Sequence, residues 1–332
     1  MRYNGRNEGI GKYAMHAQQE MLNDGVRLSL FREALAARVR PGDVVLDAGT
    51  GTGVLAVMAA QAGAAHVYAV DNRGVADLAR QVAGANGVAD RITVIRGDVR
   101  HVALPRRVDG MVCELLGYAG LAEGITRLLP RVLERHVRPG GWCIPGNLRV
   151  WVAPVEHAAL HERILLAHAD HGVDLGPVRD EIVQHYWVEH LAGADMPAAP
   201  GLVRVEDWAG DTVGDAAREN PDMAVRRHAA VHGFGVWFTA QLAPGVLLDT
   251  GPHAPPTSWR QVFLPLPQPL SVRTGDTLRL ELATLPMPHG EAFHWKTAHL
   301  RGGQTLFKRA FSNALSCMAK SVLDGSPGSG PG

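Results

Sequence analysis

Apolar and polar positions alternate in blocks along the first 150 residues. Short apolar runs end at a polar residue or a glycine, and stretches with helical spacing of apolar residues follow them. Short runs rich in β-branched residues are typical of buried strands, and the longer stretches are typical of helices. The predicted strands are Val44–Leu46, His66–Val70, Ile92–Ile95, Val108–Cys113 and a run that begins at Trp142, and the predicted helices are 54–60, 76–86 and 125–136. This alternation predicts an α/β, Rossmann-like domain with a parallel-rich sheet over residues 41–147.

Helical signals also precede this block. Residues 13–40 carry an apolar stripe that stops at Pro41-Gly42, which predicts N-terminal helices within residues 1–40. Residues 1–11 are polar and glycine-rich, so they are expected to be flexible in isolation. At the other end of the block, the helix over 125–136 is expected to stop at Pro139-Gly140-Gly141, because proline and glycine end helices.

Beyond about residue 150 the apolar positions change to strand-like alternation. Residues 148–153 alternate as an antiparallel strand does, and later short runs are separated by proline and glycine. This pattern predicts a β-barrel or sandwich over residues 148–322. An amphipathic stretch at 157–171 predicts a helical insert, part of an arm near residues 157–185. The final residues, 323–332, are rich in Gly, Ser and Pro and are expected to be disordered.

Composition narrows the classes of function. Lys plus Arg and Asp plus Glu both number 33 in 332 residues, so no excess charge favours nucleic acid or a membrane surface as a partner. The 16 His show no ligand spacing, and no metal is expected. Cys113, Cys143 and Cys317 lack a C-x-x-C pair, which indicates free thiols in a reducing compartment. No apolar leader is present and no run approaches the ~18 apolar residues of a membrane span, so a cytoplasmic protein is expected.

The first predicted strand leads into a glycine-rich turn with the sequence D-A-G-T-G-T-G. Asp47 ends the strand, Gly49 and Gly51 follow, and a helix rich in alanine begins at Val54. Free N–H groups and the helix dipole suit a polar or anionic ligand there, although many strand–helix turns carry glycine for geometry alone. Asp71 ends the second strand 22 positions after Gly49, at the spacing where a carboxylate can hold two ribose hydroxyls. The two features together favour a binding site.

Two carboxylates flank a Gly-Tyr turn after the fourth predicted strand. Glu114 follows that strand directly, and Glu123 comes nine positions later, with Gly117 and Tyr118 between them. Ligands of an open α/β sheet bind at the carboxyl ends of its strands. Two carboxylates that face one pocket suit a planar cation with several N–H donors, which is a guanidinium. The alternative is a solvated loop with two unrelated glutamates.

These residues carry a family resemblance. The spacing of glycines resembles that of the class I S-adenosylmethionine (SAM) methyltransferases, and most of the chain resembles the protein arginine methyltransferases. Their double-glutamate loop is similar to Glu114–Glu123, their N-terminal helix to Glu20–Arg27, and the exit from their methyltransferase core to Gly140–Pro145. The resemblance implies a Rossmann-like SAM-binding domain followed by a β-barrel domain with a helical dimerisation arm.

The resemblance also assigns residues. It implies that Arg27 pairs with the carboxylate of the cofactor SAM, that Met21 packs near the sulfonium, and that helices within residues 1–40 cap the cofactor. The implied cofactor-binding residues are Met21, Arg27, Asp47, Gly49, Gly51, Asp71, Asp98 and Val99. The implied catalytic residues are Glu114, Glu123 and Asp24, and the implied substrate entrance is formed by Tyr118, Ser258 and Trp259.

Two positions depart from the family's pattern. Arg100 stands where the family has a glutamate that contacts adenine, so Asp98 is expected to make that contact. Ser258 replaces the histidine of the family's Thr-His-Trp loop, so Asp24 lacks a histidine partner and either bonds Ser258 or meets the substrate directly. A second His-Trp pair, within residues 293–297, is interpreted as part of the final strand.

The predicted activity is SAM-dependent methylation of a guanidino nitrogen of arginine, either free or in a peptide or protein. Abundant Ala, Arg, Gly and Val indicate a GC-rich bacterial genome, which adds a step of natural-product biosynthesis to the settings considered. Two alternatives stay open: another amine or hydroxyl acceptor, and a catalytically silent scaffold that binds SAM. A homodimer is also expected, in which an apolar stripe on the arm docks on the partner's N-terminal helices. The stripe consists of Leu160, Ile164, Leu165 and Leu166.

Overall fold

The computed structural model of the chain describes residues 12–167, 172–208, 217–287 and 290–314. The expectations for residues 1–11, for Cys317 and for the tail at 323–332 concern parts of the chain outside the described residues. In the described part, the helices are α1 (Lys12–Asn23), α2 (Gly25–Arg38), α3 (Val54–Gln61), α4 (Ala76–Ala85), α5 (Ile125–His136), α6 (Ala158–Ile164) and α7 (Gly176–Ile182). The strands are β1 (Val44–Ala48), β2 (His66–Asp71), β3 (Ile92–Arg96), β4 (Val108–Cys113), β5 (Val137–Ile144), β6 (Asn147–Val155), β7 (Trp187–Glu189), β8 (Gly201–Asp207), β9 (Ala217–Arg218), β10 (Asp222–Ala224), β11 (Ala229–Ala243), β12 (Val246–Asp249), β13 (Gln261–Val272), β14 (Thr277–Met287), β15 (Gly290–Arg301) and β16 (Gln304–Ser312).

The α/β half contains the predicted parallel sheet, whose five strands have the order β3-β2-β1-β4-β5. All residues of β1 are buried, because helices cover a parallel sheet. Ala48, the last residue of β1, pairs with Val70 in β2 and with Cys113 in β4. This register brings the carboxyl ends of β2 and β4, and with them Asp71 and Glu114, to the two sides of the glycine-rich turn.

The N-terminal helical stretch is broken at Asp24, which the apolar stripe did not predict. The Asp24 carboxylate accepts a hydrogen bond from the Arg27 N–H at 2.8 Å, so it caps the start of α2. An aspartate at this position satisfies an N–H that the first turn of a helix leaves unpaired. The chain therefore forms two helices, and the short break between them places Asp24 at the surface of the site.

The last parallel strand differs from the prediction. The helix α5 spans the predicted residues, but Pro139, Gly140 and Gly141 do not end it, since it has already ended at His136 and they lie inside β5. A Cβ on Gly141 would lie 2.4 Å from the Val137 side chain and 2.8 Å from a carbonyl of β4. The glycine thus permits a close strand pairing, and β5 ends at Ile144, close to where the predicted strand began.

The second half consists of antiparallel strands and forms the predicted barrel domain. One sheet has the order β7-β13-β11-β6-β8-β9, with β12 paired to β11, and the other has the order β10-β14-β15-β16. The strand β6 lies between β11 and β8, as its alternating pattern predicts. The expectation that residues 293–297 belong to the final strand is wrong, because they lie in β15 and β16 follows and pairs with it.

The helical arm contains two short helices, and most of its apolar stripe points inward. Within the described residues, the predicted insert holds α6, which is capped by the His157 ring, and α7 begins beyond it, inside the predicted arm. Of the stripe that a monomer was expected to leave partly exposed, Leu166 is half-buried. Leu160, Ile164 and Leu165 are 5%, 3% and 7% exposed, so the expectation is wrong for these three residues. Their own chain buries them because α6 packs on the barrel strand β11. None of the helices in the described ranges combines the length and apolar character needed to cross a membrane.

Candidate active site

The glycine-rich turn joins β1 to α3, and hydrogen bonds to β2 and to Asp47 hold it in place. The N–H groups of Gly49 and Thr50 donate to a carbonyl of β2 at 2.8 and 3.0 Å. The Thr50 hydroxyl donates to the Asp47 carboxylate at 2.6 Å. Gly53 has a φ of +82° and a Cβ there would lie 2.8 Å from the Cβ of Ala79, so this position requires glycine.

Asp47 lies under this turn and is 1% exposed. Burial raises its pKa to about 7, although the hydrogen bond from Thr50 works in the opposite direction. Protein atoms cover the carboxylate on all sides. A contribution of Asp47 to cofactor binding would therefore be indirect, through the position of Thr50.

Asp71 lies beside the turn, at the end of β2. Its carboxylate accepts hydrogen bonds from the N–H of Gly51 at 3.0 Å and from the N–H of Arg73 at 2.8 Å. It lines a cavity of about 620 Å³ at the carboxyl edge of the sheet, which Asp98 and Val99 also line. The structure thus brings together the residues predicted to meet ribose and adenine.

The departure at Arg100 has a structural consequence for Asp98. The Arg100 Nε donates to both oxygens of the Asp98 carboxylate, at 2.9 and 3.0 Å. These bonds hold the pKa of Asp98 below its usual range. The arginine that replaces the family's glutamate therefore engages the aspartate that was expected to take over its role. An adenine in this cavity would meet the ion pair of Asp98 and Arg100 and not a single carboxylate.

A smaller cavity adjoins the first and holds the other half of the predicted cofactor set. Met21, Arg27 and Gly51 line it together with both glutamates of the loop. Gly49 and Glu123 line both cavities, so the two are neighbours across the turn. A Cβ on Gly49 would lie 3.1 Å from Leu115, which shows how closely the turn approaches the opposite wall. The residues fit a ligand with a nucleoside at one end and an amino acid at the other.

Glu114 and Glu123 are brought together by a tight loop. Gly117 has a φ of +60°, and a Cβ there would lie 2.8 Å from the backbone nitrogen of Glu123. Ala119 is buried with a φ of +53°, a conformation that is unfavourable for alanine by ~1 kcal/mol. Such local strain is typical of functional loops. The loop therefore returns the chain to the end of β4, so that both glutamates line the same cavity.

The electrostatics of the two glutamates differ. Desolvation by the surrounding loop and repulsion from Glu114 raise the pKa of Glu123 to about 7. The Glu123 residue is nevertheless exposed where it opens onto the two cavities, so water there screens part of this effect. Glu114 is buried and forms an ion pair with Arg27. Arg27, which is predicted to pair with the carboxylate of SAM, and Glu114, which is predicted to hold the substrate, thus contact one another.

Asp24 and Ser258 form a direct link between α2 and the barrel. The Ser258 N–H and hydroxyl donate to the Asp24 carboxylate at 2.7 and 2.9 Å. Both residues line an open groove of about 560 Å³. Trp259 is 6% exposed and lies 5.8 Å from the Arg27 guanidinium, whereas Tyr118 is 38% exposed and edge-on to the Tyr186 ring. Of the two alternatives stated for Asp24, the structure contains the bond to Ser258.

Two contacts at the site have no signal in the sequence. Arg27 and Glu114 are 87 positions apart, and Arg127 and Glu291, which meet beside the loop, are 164 positions apart. Contacts at such separations depend on how the helices, the sheet and the barrel pack against each other. Local periodicity does not encode that packing. The sequence therefore indicated Arg27 and Glu114 without pairing them, and it did not indicate Arg127 or Glu291.

Comparison with known proteins gives matches over both halves of the chain. Residues 27–149 match the family model described as ribosomal protein L11 methyltransferase (PrmA), and residues 148–294 match the arginine methyltransferase oligomerization subdomain. The solved structure of the Trypanosoma brucei PRMT1 enzyme–prozyme heterotetrameric complex with AdoHcy is 26% identical, with a TM-score of 0.80, over 90% of this chain and 98% of that one. The structure of Arabidopsis thaliana protein arginine methyltransferase 10 is 27% identical, with a TM-score of 0.75, over 91% and 98%.

Curated relatives agree with the structural matches. Protein arginine N-methyltransferase 1 of Saccharomyces cerevisiae is 30% identical over 284 residues, which cover 82% of this chain and 81% of the relative. Protein arginine N-methyltransferase PRMT10 of Arabidopsis thaliana is 30% identical over 307 residues, which cover 81% and 79%. The predicted fold class and the predicted resemblance are both confirmed by these matches, and the chain belongs to the protein arginine N-methyltransferase family.

Proposed function

We propose that this chain transfers a methyl group from SAM to a guanidino nitrogen of arginine. The observation that carries the proposal is the position of Glu114 and Glu123, which line one cavity with Gly49 of the glycine-rich turn. The ion pair between Glu114 and Arg27 supports it further, because a guanidinium already meets this carboxylate within the fold. Membership of the family adds the reaction type.

The residues that would hold the cofactor surround the two adjoining cavities. Asp71 would bond the ribose, Asp98 and Val99 would meet the adenine, and Arg27 and Met21 would contact the amino-acid end. Gly49 and Gly51 would let the ligand approach the backbone closely, and Asp47 would support the turn. Bound SAM supplies an electrophilic methyl group on a sulfonium.

Glu114 and Glu123 would accept N–H bonds from the guanidinium and hold one nitrogen in the attacking position. The acceptor nitrogen must also lose a proton. Glu123 is suited to receive it at a carboxylate oxygen, because desolvation and Glu114 raise its pKa to about 7. Asp24 caps α2 with its Oδ1 and accepts both hydrogen bonds from Ser258 at its Oδ2. Its place on the proton path therefore stays a prediction.

Substitution of each glutamate by glutamine tests this assignment. Each change removes one charge-assisted hydrogen bond, worth ~1.5–3 kcal/mol, so kcat/KM is expected to fall about 10- to 150-fold. SAM affinity is expected to stay near that of the unchanged chain. Methylation would be measured with labelled SAM and free arginine, arginine peptides and a panel of small guanidines. Full activity of both Glu114→Gln and Glu123→Gln would exclude a guanidinium acceptor and favour a neutral amine or hydroxyl.

A homodimer is proposed on different residues from those predicted. With the stripe of α6 buried, exposed apolar side chains on the arm and on α1 supply the contact, namely Val173, Val178, Met15 and Leu22. A Val178→Glu variant is expected to lower the mass measured by light scattering from dimer to monomer, because a charge would be buried in the interface. Leu306→Glu, at an equally exposed apolar position on β16, serves as the matched control. A monomeric mass of the unchanged chain at micromolar concentration would contradict the proposal.

A further inference from the structure

The hairpin formed by β14 and β15 contacts the loop that carries Glu123. The Glu291 N–H donates to the carbonyl of Ala122 at 2.9 Å, directly before Glu123 in the chain. Gly290 has a φ of +110°, and a Cβ there would lie 2.5 Å from the same carbonyl. The barrel thus approaches the loop backbone so closely that the position next to the contact requires glycine.

The Glu291 side chain reaches the opposite flank of Glu123. Arg127, in the first turn of α5, donates from its Nε to the Glu291 carboxylate at 2.7 Å. Gly124 has a φ of +76° and begins α5, and a Cβ on it would lie 3.1 Å from the same carboxylate oxygen. One barrel residue therefore holds the chain on both sides of Glu123, by its backbone before it and by its carboxylate after it.

This contact is a poor source of stability. The Glu291 side chain is 1% exposed, and within the described residues its second carboxylate oxygen has no hydrogen-bond partner. Burying a carboxylate with part of its bonding capacity unused opposes folding, and a buried ion pair is often no more stabilising than apolar residues of the same size. The geometry that the pair imposes is what distinguishes it from an apolar contact.

We propose that Glu291 is a positioning residue, which fixes Glu123 in the acceptor site by anchoring both of its flanks to the barrel. The proposal rests on the proposed function for the role of Glu123, and it adds a residue that does not touch the reacting atoms. If the anchor is released, the loop is expected to loosen, and Glu123 then gains water and moves away from Glu114.

The position of Glu123 can be read from its titration. The charged groups with the largest influence on it are Glu114, Arg73, Arg27 and Asp71, and Arg127 and Arg131 line one cavity with it. Desolvation and Glu114 dominate among these influences and raise the pKa of Glu123 to about 7. Both effects weaken when the loop loosens, so release of the anchor lowers this pKa toward that of a free glutamate. If the role were merely structural, the thermal midpoint would fall and the Glu123 pKa would shift only by the electrostatic effect of the charge removed.

The test uses Glu291→Gln and Arg127→Gln in the full chain. Both variants remove the same ion pair, the first at the buried glutamate and the second at the half-exposed arginine. The titration of Glu123 is followed by NMR with ¹³C-labelled glutamate, with its signal assigned by its loss in Glu123→Gln. Asp222→Asn is the matched control, because it breaks an ion pair with Arg279 in the same four-stranded sheet, away from the loop. Loss of the Glu291 charge by itself lowers the Glu123 pKa, whereas loss of the Arg127 charge by itself raises it, so a lower pKa in both variants identifies a loosened loop. We expect a fall on the order of one unit in both variants and no change in the control.

The kinetic readout is kcat for the preferred acceptor, expected to fall ~10- to 100-fold with a smaller change in KM, since small misplacements of catalytic groups have effects of this size. A Glu123 pKa that is unchanged or raised in Arg127→Gln overturns the proposal, even where kcat and the thermal midpoint both fall. Failure of the proposed function is a separate result: it appears as full activity of both Glu114→Gln and Glu123→Gln, whereas the titration needs no turnover.

Discussion

Replacing Asp47 with asparagine is predicted to stabilise the folded chain at neutral pH, because Asp47 is buried with a pKa raised to about 7 from an ordinary value of 3.8. Below pH 3.8 the carboxyl is protonated in both the folded and the unfolded chain, so its ionisation does not affect stability. Between pH 3.8 and 7 the unfolded chain releases the proton and the folded chain retains it. The unchanged protein therefore loses stability over this window and levels off above it.

The magnitude follows from the size of the pKa shift. Each unit is worth ~1.36 kcal/mol, so ionisation of Asp47 opposes folding by up to ~4 kcal/mol above pH 7. Asparagine keeps an oxygen for the Thr50 hydroxyl, but its amide nitrogen takes the place of an oxygen that has no partner among the described residues. That unsatisfied donor offsets the gain by ~1 kcal/mol at every pH. The net gain at pH 7.5 is thus ~3 kcal/mol.

Unfolding by guanidinium chloride measures the difference in the free energy of unfolding between Asp47→Asn and the unchanged chain. The measurement is made at several pH values from about 3.5 to about 8, a range that covers both ends of the Asp47 titration. The gain of Asp47→Asn should rise with pH and then level off near pH 7. Asp222→Asn should behave oppositely and at lower pH, because its ion pair with Arg279 lowers the pKa of Asp222 from 3.8. The unchanged chain should gain stability over this variant only toward the acid end of the range, and the difference should then stay constant at higher pH. A difference between Asp47→Asn and the unchanged chain that is the same at every pH would refute the reasoning.

Three further predictions concern Asp71 and Ser258. Asp71→Ala should weaken SAM binding by ~1–3 kcal/mol in calorimetry, because a charged acceptor for the ribose hydroxyls is lost, and unchanged affinity would remove the assignment. Ser258→Ala removes the hydroxyl bond to Asp24 and keeps the N–H bond, so it should lower the thermal midpoint slightly without abolishing methylation. Ser258→His, by contrast, should shift preference among the acceptors and keep activity; the same relative rates for all acceptors as in the unchanged chain would show that this position does not select the substrate.

The sequence predicted those parts of the protein that depend on local patterns. The runs of β1 to β4 and the helix α5 were recognisable because buried parallel strands and amphipathic helices have distinct periods. Asp47, Asp71 and Glu114 could be placed at one edge because each follows a predicted strand. Their shared location then followed from the rule that ligands bind where such strands end.

The remaining features depend on packing between distant segments. The break at Asp24 is a helix cap within an otherwise continuous apolar stripe, and periodicity alone does not register it. The burial of Leu160 depends on α6 packing against the barrel, so an amphipathic pattern did not reveal which surface it meets. The ion pair between Asp98 and Arg100 could have been predicted from the sequence, since the two residues are only two positions apart and have opposite charges.

The link between Asp24 and Ser258 has a consequence for the order in which the chain folds. These residues are 234 positions apart, so their bond forms only after almost the whole described chain between them has been synthesised and folded. Contacts between residues far apart in sequence form slowly, because closing a long loop costs entropy before the contact contributes any stabilisation. The glycine-rich turn needs only the strands of the first half and can form much earlier during synthesis. A growing chain therefore completes its glycine-rich turn well before the groove beside Ser258 exists.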